Sequence, residues 1–114
     1  MNVASLELCK ELYDLSAWET EYGWMKFGKH LSGNRTTWTI DARDISDFPA
    51  YDLGYLMRKL PPATNIFITG RDYGAKEGNF SKKHRMFFAD TPEDAAAKLA
   101  IELFKQGILT KEPS

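Results

Sequence analysis

Residues 91–107 read TPEDAAAKLAIELFKQG and contain the clearest local structure signals in this sequence. Asp90 or Thr91 can cap a helix, Pro92 suits its first position, and the two acidic residues that follow suit the positive helix end. Leucine and alanine recur on one face at helical spacing, so the helix needs other apolar elements to pack against. Gly107 is placed to end it in a left-handed turn.

Two further helices are predicted upstream. Ser5 can cap the first, which is expected to run to about Asp14 with leucines on one face. Pro49 suits the first position of the second helix, and Pro61-Pro62 ends it. Its buried stripe follows the spacing i, i+3, i+4, i+7 and consists of Leu53, Leu56, Met57 and Leu60.

Four strands are predicted between the helices, at residues 20–27, 35–42, 65–69 and 84–89. The first two are expected to form an antiparallel hairpin with Phe27 opposite Arg35 and Trp24 opposite Trp38. The last two are apolar on both faces, so they should lie centrally in the sheet or be covered by a partner. Residues 70–83 are rich in glycine and polar side chains and are predicted to be a loop.

The predicted order is helix, strand, strand, helix, strand, strand, helix. This order favours an α+β fold, with a four-stranded, mainly antiparallel sheet and three helices packed mainly on one face. A chain of 114 residues that is 43% apolar supports one domain, residues 1–114, in which residues 110–114 form a flexible tail. The composition excludes disordered, collagen-like and disulfide-rich classes.

Net charge, cysteine content and hydropathy bear on the partners and the cellular compartment of the protein. Fifteen basic and sixteen acidic residues give a net charge of −1, which singles out neither a nucleic acid nor a membrane. Cys9 falls among leucines in the first helix and is interpreted as a small buried hydrophobe. No apolar run reaches the roughly 18 residues of a membrane helix, and the N-terminus lacks the pattern of a signal peptide. We therefore expect a soluble cytoplasmic protein without a membrane partner.

The histidines and aspartates form no legible catalytic or metal-binding pattern. His30 and His84 have no nucleophile or second metal ligand at short range, although a carboxylate brought near by the fold is left open. Four aspartates lack the alternation of a calcium loop and are interpreted as helix caps and turn formers: Asp41, Asp44, Asp47 and Asp52. An enzyme is disfavoured, and no cofactor or metal is expected.

Aromatic residues provide a first candidate contact surface. Tyr51, Tyr55 and Arg58 are spaced to share a face of the second helix that differs from its leucine stripe. Because tyrosine and arginine are enriched at protein interfaces, this face is predicted to bind a partner. Trp24 and Trp38 are instead expected to lie in the core.

A basic, glycine-containing segment, residues 70–85, provides a second candidate contact surface. Residues 1–25 carry one basic and five acidic groups, whereas residues 53–90 carry seven basic and three acidic groups. Such a loop could bind phosphates and stack on bases, dock on an acidic protein surface, or be solvated without a partner. The predicted partner-binding residues here are Arg71, Tyr73, Lys76, Lys82, Lys83 and Arg85.

Two segments resemble small proteins encoded by bacteriophages and prophages that have no assigned activity. They are residues 49–61, PAYDLGYLMRKLP, and residues 91–104, TPEDAAAKLAIELF, followed by Gly107. The resemblance implies expression inside a bacterial cell and interaction with phage or host components. It carries over no functional residue.

These observations lead to one expected function and one alternative. The expectation is a small non-enzymatic phage- or prophage-type binding protein that acts by macromolecular contact, for example as an inhibitor of a host or defence component. The alternative is a nucleic-acid-binding accessory protein that uses the glycine loop 70–85. An enzyme and a minor structural or assembly protein are the other classes considered. The apolar strands and the Tyr51, Tyr55 and Arg58 face also allow a homodimer.

Overall fold

A computed structural model of the chain describes residues 2–29, 36–77 and 85–111. A short 3-10 helix, Arg43–Ile45, follows the second strand. The other elements are, in chain order, α1 (Leu6–Ser16), β1 (Tyr22–Lys29), β2 (Thr36–Ala42), β3 (Phe48–Pro49), α2 (Leu53–Lys59), β4 (Asn65–Thr69), β5 (Asp72–Glu77), β6 (Arg85–Ala89) and α3 (Pro92–Lys105).

The α+β class is confirmed, but the prediction of one four-stranded sheet is wrong. Within the described residues, three α-helices accompany two three-stranded antiparallel sheets, ordered β2-β1-β3 and β4-β5-β6. Each sheet contains one predicted strand pair and a third strand that was not predicted from the sequence. In the first sheet this is the two-residue strand β3, which pairs with β1 through Gly23 and Trp24.

In the second sheet the additional strand is β5, which forms part of the predicted loop 70–83. Thr69 pairs with Asp72, so only Gly70 and Arg71 connect β4 to β5. Gly70 has a φ of 57°, which a two-residue hairpin with glycine at its first turn position requires. Gly70 therefore serves a tight turn and Gly74 a close contact within the sheet, and residues 72–77 form the central strand.

The first hairpin forms in a register shifted by two residues from the predicted one. Trp24 lies opposite Ile40 and Lys26 opposite Trp38. An even shift leaves each side chain on its predicted face. The shift places Gly23, rather than Glu21, opposite Asp41, so the like-charge pair of the predicted register is avoided. Arg35, the predicted partner of Phe27, lies outside the described residues.

The second helix begins later than predicted. Pro49 belongs to β3 instead of opening a helix, and α2 starts at Leu53. Asp52 is its cap, because the backbone N–H of Tyr55 donates to Asp52 Oδ1 at 2.7 Å. The sequence interpretation of Asp52 as a helix cap or turn former agrees with this role. The Asp52 carboxylate supplies a hydrogen-bond acceptor, which the side chain of Pro49 lacks.

Helix α1 is joined to α3 at its first turn. Ser5 holds the cap position of α1, but its side chain makes no capping hydrogen bond. Instead, the Ser5 backbone N–H donates to Asp94 Oδ1 at 2.7 Å. The helix ends at Ser16, after which Ala17 takes a left-handed φ of 56°. An acidic residue of α3 therefore fixes the N-terminus of α1.

Helix α3 is the element around which the other helices and the second sheet pack. Thr91 caps it through the Asp94 N–H, and Gly107 has a φ of 77° just beyond its end, as the sequence predicted. It contacts α1, α2 and each strand of the second sheet. Ala95, Ala96 and Ala97 are fully buried, which allows neighbouring elements to approach α3 closely.

The two tryptophans of the first hairpin differ in environment. Trp24 is partly buried and packs against the core. Trp38 was expected to lie in the core, but it is not part of it. Its ring centroid lies 6.1 Å from that of Phe48, and the Lys10 ammonium lies 5.2 Å from the Trp38 centroid. At the other end of the chain, Thr110 and Lys111 are exposed, and residues 112–114 of the predicted tail lie outside the described residues.

Candidate functional site

An open cleft of about 460 Å³ lies where the chain enters β1 and α2. The segment between α1 and β1 forms one side, and the cap and outer face of α2 form the other. Its lining residues are Glu19, Thr20, Glu21, Tyr22, Ala50, Asp52, Tyr55 and Arg58. We call this region the acidic cleft, because its side chains carry three carboxylates and one guanidinium.

The three carboxylates of the acidic cleft are engaged to different extents. Glu19 pairs with Arg43, whose Nε lies 2.7 Å from Glu19 Oε1, and Tyr13 donates to the other carboxylate oxygen at 3.0 Å. Asp52 uses Oδ1 to cap α2. Glu21 is exposed and forms no ion pair within the described part of the chain. Glu21 therefore offers a charge that an incoming cation can pair with.

Two tyrosines give the acidic cleft an aromatic wall. Tyr22 is 46% exposed at the start of β1. The Tyr55 ring is held edge-on by Trp18 at 6.3 Å and lies 5.6 Å from the ring of Tyr51. The Arg58 guanidinium lies 5.9 Å from the Tyr55 centroid. Because core residues support Tyr55 from behind, its ring is held in place before any ligand arrives.

The structure separates the predicted contact face of the second helix. Tyr55 and Arg58 both line the acidic cleft. Tyr51 is instead fully buried, and its hydroxyl donates to the Trp18 carbonyl oxygen at 2.7 Å. The i, i+4 spacing predicts that Tyr51 lies on the helix, but α2 begins two residues after it, so helical periodicity does not apply. Tyr51 belongs to the core that supports the cleft.

The predicted basic site is not assembled by the residues that the structure describes. Arg71 is exposed in the β4–β5 turn, and Lys76 is partly buried near the far end of β5. Tyr73 packs against the core, so its ring is not presented for stacking. The backbone of Arg85 pairs with Glu77 at the start of β6. Lys82 and Lys83 lie outside the described residues, as do both histidines.

A second cleft, of about 520 Å³, lies between the first hairpin and the start of α3. Trp24 lines it, and its indole Nε1 is buried without a hydrogen-bond partner. Cys9 is fully buried, as its sequence context predicted, and its thiol contacts the Ala4 carbonyl oxygen at 3.4 Å. Burial raises the pKa of this thiol, so it stays protonated and is a poor nucleophile.

Residues 2–29, 36–77 and 85–111 contain neither a metal-binding cluster nor a membrane-spanning helix. No group of three or more histidine, cysteine or acidic residues there could hold a metal ion. No helix in the same residues is both long enough and apolar enough to cross a bilayer.

Sequence reasoning missed Glu21, Tyr22 and Asp52 as members of one site. Tyr22 was visible only as part of an aromatic strand, and Asp52 as a turn or cap residue. The available signal was the acidic-aromatic run of residues 19–22, ETEY, just before a strand. What joins that run to α2 is the backbone hydrogen bond from Ala50 to the Tyr22 carbonyl oxygen, a long-range contact that local pattern does not encode.

Comparison with known proteins provides no independent assignment. No protein family matches the chain, and neither a curated protein nor a solved structure matches it at a significant level.

Proposed function

We propose that the chain is a small non-enzymatic binding protein of the phage or prophage type, which acts inside a bacterial cell by contacting another protein. An inhibitor of a host or defence component is the concrete form of this proposal. The observation that carries it is the acidic cleft, in which Tyr55 and Arg58, both predicted to bind a partner, lie beside Tyr22 and three carboxylates.

The chemistry of the acidic cleft suits an arginine or lysine side chain of the partner. Its four charged groups sum to a net charge of −2, and Glu21 is exposed. A guanidinium can form charge-assisted hydrogen bonds with a carboxylate while it stacks on a tyrosine ring. Exposed tyrosine next to a charged rim is typical of the residues that dominate binding energy at protein interfaces.

Affinity capture from bacterial lysate tests the proposal. The 114-residue chain is the bait, the lysate is treated with nuclease, and captured proteins are identified by mass spectrometry. We expect a protein that survives the nuclease and is lost with Glu21→Lys, because that variant places a cation where the partner's cation would dock. Glu7→Lys is the matched control, since Glu7 is an exposed carboxylate in the first turn of α1, away from the cleft.

Two results would count against the proposal. Capture that is equal for the bait, Glu21→Lys and Glu7→Lys would show that the acidic cleft is not the binding site. Capture that disappears with nuclease would favour the alternative, a nucleic-acid-binding accessory protein that uses residues 70–85. The exposed Arg71 is the described residue that favours that alternative, whereas Tyr73 is turned toward the core.

A further inference from the structure

The second sheet has one covered face and one open face. Side chains on the covered face, including those of Ile66, Ala75 and Phe87, belong to or pack against the core under α3. Side chains alternate between the two faces along each strand, so the neighbouring residues of these three point toward the open face. This open face carries Phe67, Gly74, Met86 and Phe88. Phe88 is 46% exposed and Met86 45% exposed.

Gly74 makes the centre of the open face shallow. It lies between Phe67 on β4 and Phe88 on β6, whose rings meet edge-on with centroids 6.0 Å apart. A Cβ at this position would collide with the ring of Phe67. The two rings therefore close over the strand backbone and form a continuous apolar surface, of the kind that marks an interaction site.

Two opposite charges flank this apolar centre symmetrically. Asp72 and Lys76 lie on β5 two residues before and two residues after Gly74, so both share its face. They are about 13 Å apart, too far to pair with each other. A second copy can be related by a twofold axis that lies between the two stacked sheets, passes over Gly74 and runs perpendicular to β5. This axis would place each Asp72 opposite the Lys76 of the other copy. The face is therefore complementary to itself in an antiparallel arrangement.

We propose that the open face of the β4-β5-β6 sheet binds the same face of a second copy, which forms a homodimer of two stacked sheets with the helices outside. Stacked sheets pack about 10 Å apart, which buries Phe67, Met86 and Phe88 of each copy. Lys98 Nζ donates to the Phe88 carbonyl oxygen on the edge strand β6 at 3.1 Å, and lysines at sheet edges oppose strand-to-strand pairing. Face-to-face packing is thus favoured over edge pairing.

The same arrangement accounts for a feature of the sequence. Strands β4 and β6 are apolar on both faces, which is typical of strands in the middle of a sheet or under a partner. They are the two outer strands of their sheet, so the expected central position is wrong. A second copy over the open face supplies the missing cover. This inference does not depend on the acidic cleft, which lies at the start of β1 and α2.

Sedimentation equilibrium of charge-reversal variants tests the dimer. We expect the wild-type chain to dimerise with a Kd in the micromolar range, typical of small interfaces. Asp72→Lys and Lys76→Asp should each raise Kd by about tenfold or more, because each puts like charges opposite one another. The double variant Asp72→Lys/Lys76→Asp should recover most of the affinity, since it exchanges the two charges in both copies.

A second pair of variants tests the apolar centre. Phe88→Ser should abolish dimerisation, whereas Ile45→Ser should not, because Ile45 is an exposed apolar residue on the 3-10 helix outside this face. Thermal unfolding followed by circular dichroism establishes that each variant is folded. A wild-type chain that stays monomeric at millimolar concentration would overturn the proposal. So would a dimer that Phe88→Ser leaves intact, or a double charge reversal no better than the single ones.

Discussion

Tyr51 is the largest fully buried side chain in the described part of the protein, and its hydroxyl donates to the Trp18 carbonyl oxygen at 2.7 Å. Tyr51→Phe keeps the ring but removes this donor. We expect it to lower the free energy of unfolding by about 1 to 3 kcal/mol, because a buried acceptor then loses its partner. Urea unfolding measures the change.

Tyr13→Phe is the matched control for that variant. The Tyr13 hydroxyl also donates a hydrogen bond, but to the exposed carboxylate of Glu19, which water can solvate instead. We expect a change within about 0.5 kcal/mol for Tyr13→Phe. Equal urea midpoints for the two variants would show that the buried hydrogen bond of Tyr51 stabilises the protein no more than the exposed one of Tyr13 does.

The raised pKa values of two buried groups predict how the free energy of unfolding changes at alkaline pH. Burial raises the pKa of Cys9 above its ordinary 9.0 and the pKa of Tyr51 above its ordinary 10.0. The unfolded chain therefore releases these protons at lower pH than the folded chain does. Their contribution to stability is complete below about pH 9 and is lost as the pH rises through 9 and 10 toward the folded values.

The double variant Cys9→Ala/Tyr51→Phe checks that dependence. Its free energy of unfolding is expected to be lower than that of the wild type at neutral pH, but to fall less between about pH 8 and pH 11. Urea titrations at a series of pH values give both slopes. Parallel curves for the two proteins would show that neither group is linked to folding.

Residue environments were only partly predictable from sequence. The burial of Cys9 was predicted, because apolar neighbours at helical spacing surround it. The burial of Tyr51 was not predicted, because its i, i+4 relation to Tyr55 assumes one continuous helix. Asp52 caps α2 after Tyr51, so the relation between the two rings is set by the chain path into the helix.

At the scale of elements, Leu103 tests the role of α3. Its side chain is fully buried, and its carbonyl oxygen accepts hydrogen bonds from the backbone beyond the helix end. Leu103→Ala should lower the free energy of unfolding by about 2 to 5 kcal/mol, as in other buried leucines. Lys105→Ala, at an exposed position of the same helix, should cost less than about 1 kcal/mol. Denaturant midpoints that coincide would show that this face of α3 is not core.

Two glycines are expected to respond to alanine with opposite signs. A Cβ at Gly23 would collide with the Ser46 hydroxyl and with the backbone oxygen of Phe48, so Gly23→Ala should separate β3 from β1 and destabilise the protein. At Gly54 on α2 the nearest atom is 3.4 Å away, an ordinary contact. Gly54→Ala should therefore stabilise by up to about 1 kcal/mol through helix propensity. Thermal melting compares the pair, and two shifts of the same sign would contradict the geometry.

Elements with strong local signals were predicted well. Helix α3 carries its cap, its apolar stripe and its terminal glycine in one contiguous segment, and each of these features is present in the structure. Strand β5 has no apolar alternation, since glycine, alanine and lysine occupy its centre. The signal that could have found it is Gly70-Arg71 directly after the apolar strand 65–69, because glycine at the first turn position is typical of a two-residue hairpin.

At the scale of the whole molecule, the arrangement into two sheets depends on contacts that no local window contains. The pairing of β1 with β3 and the hydrogen bond from Ser5 to Asp94 join residues that are far apart in the chain. The acidic cleft has the same origin, since the pairing of β1 with β3 and the Ala50–Tyr22 hydrogen bond bring residues 19–22 next to α2. The order of the predicted helices and strands could predict an α+β protein, but not which strands become neighbours.

The separation of basic residues leads to the last prediction, which concerns nucleic acid. Among the described residues, Arg71 lies in the β4–β5 turn, whereas Lys76 lies near the far end of β5. We therefore expect no measurable binding of a single-stranded oligonucleotide at physiological salt, as judged by fluorescence anisotropy. If the alternative function held, the logarithm of affinity would fall with the logarithm of salt, by about 0.7 per phosphate contact.

The variant Lys82→Gln/Lys83→Gln distinguishes specific contacts from general attraction. For a protein that grips phosphates with residues 70–85, removing both lysines should flatten the salt slope by up to about 1.4, two contacts' worth. Lys105→Gln/Lys111→Gln removes the same charge from exposed positions at the other end of the sequence and should leave the slope unchanged. Oligonucleotide binding by the wild type that only the first variant weakens would overturn the prediction, because residues 70–85 would then act as a nucleic-acid site.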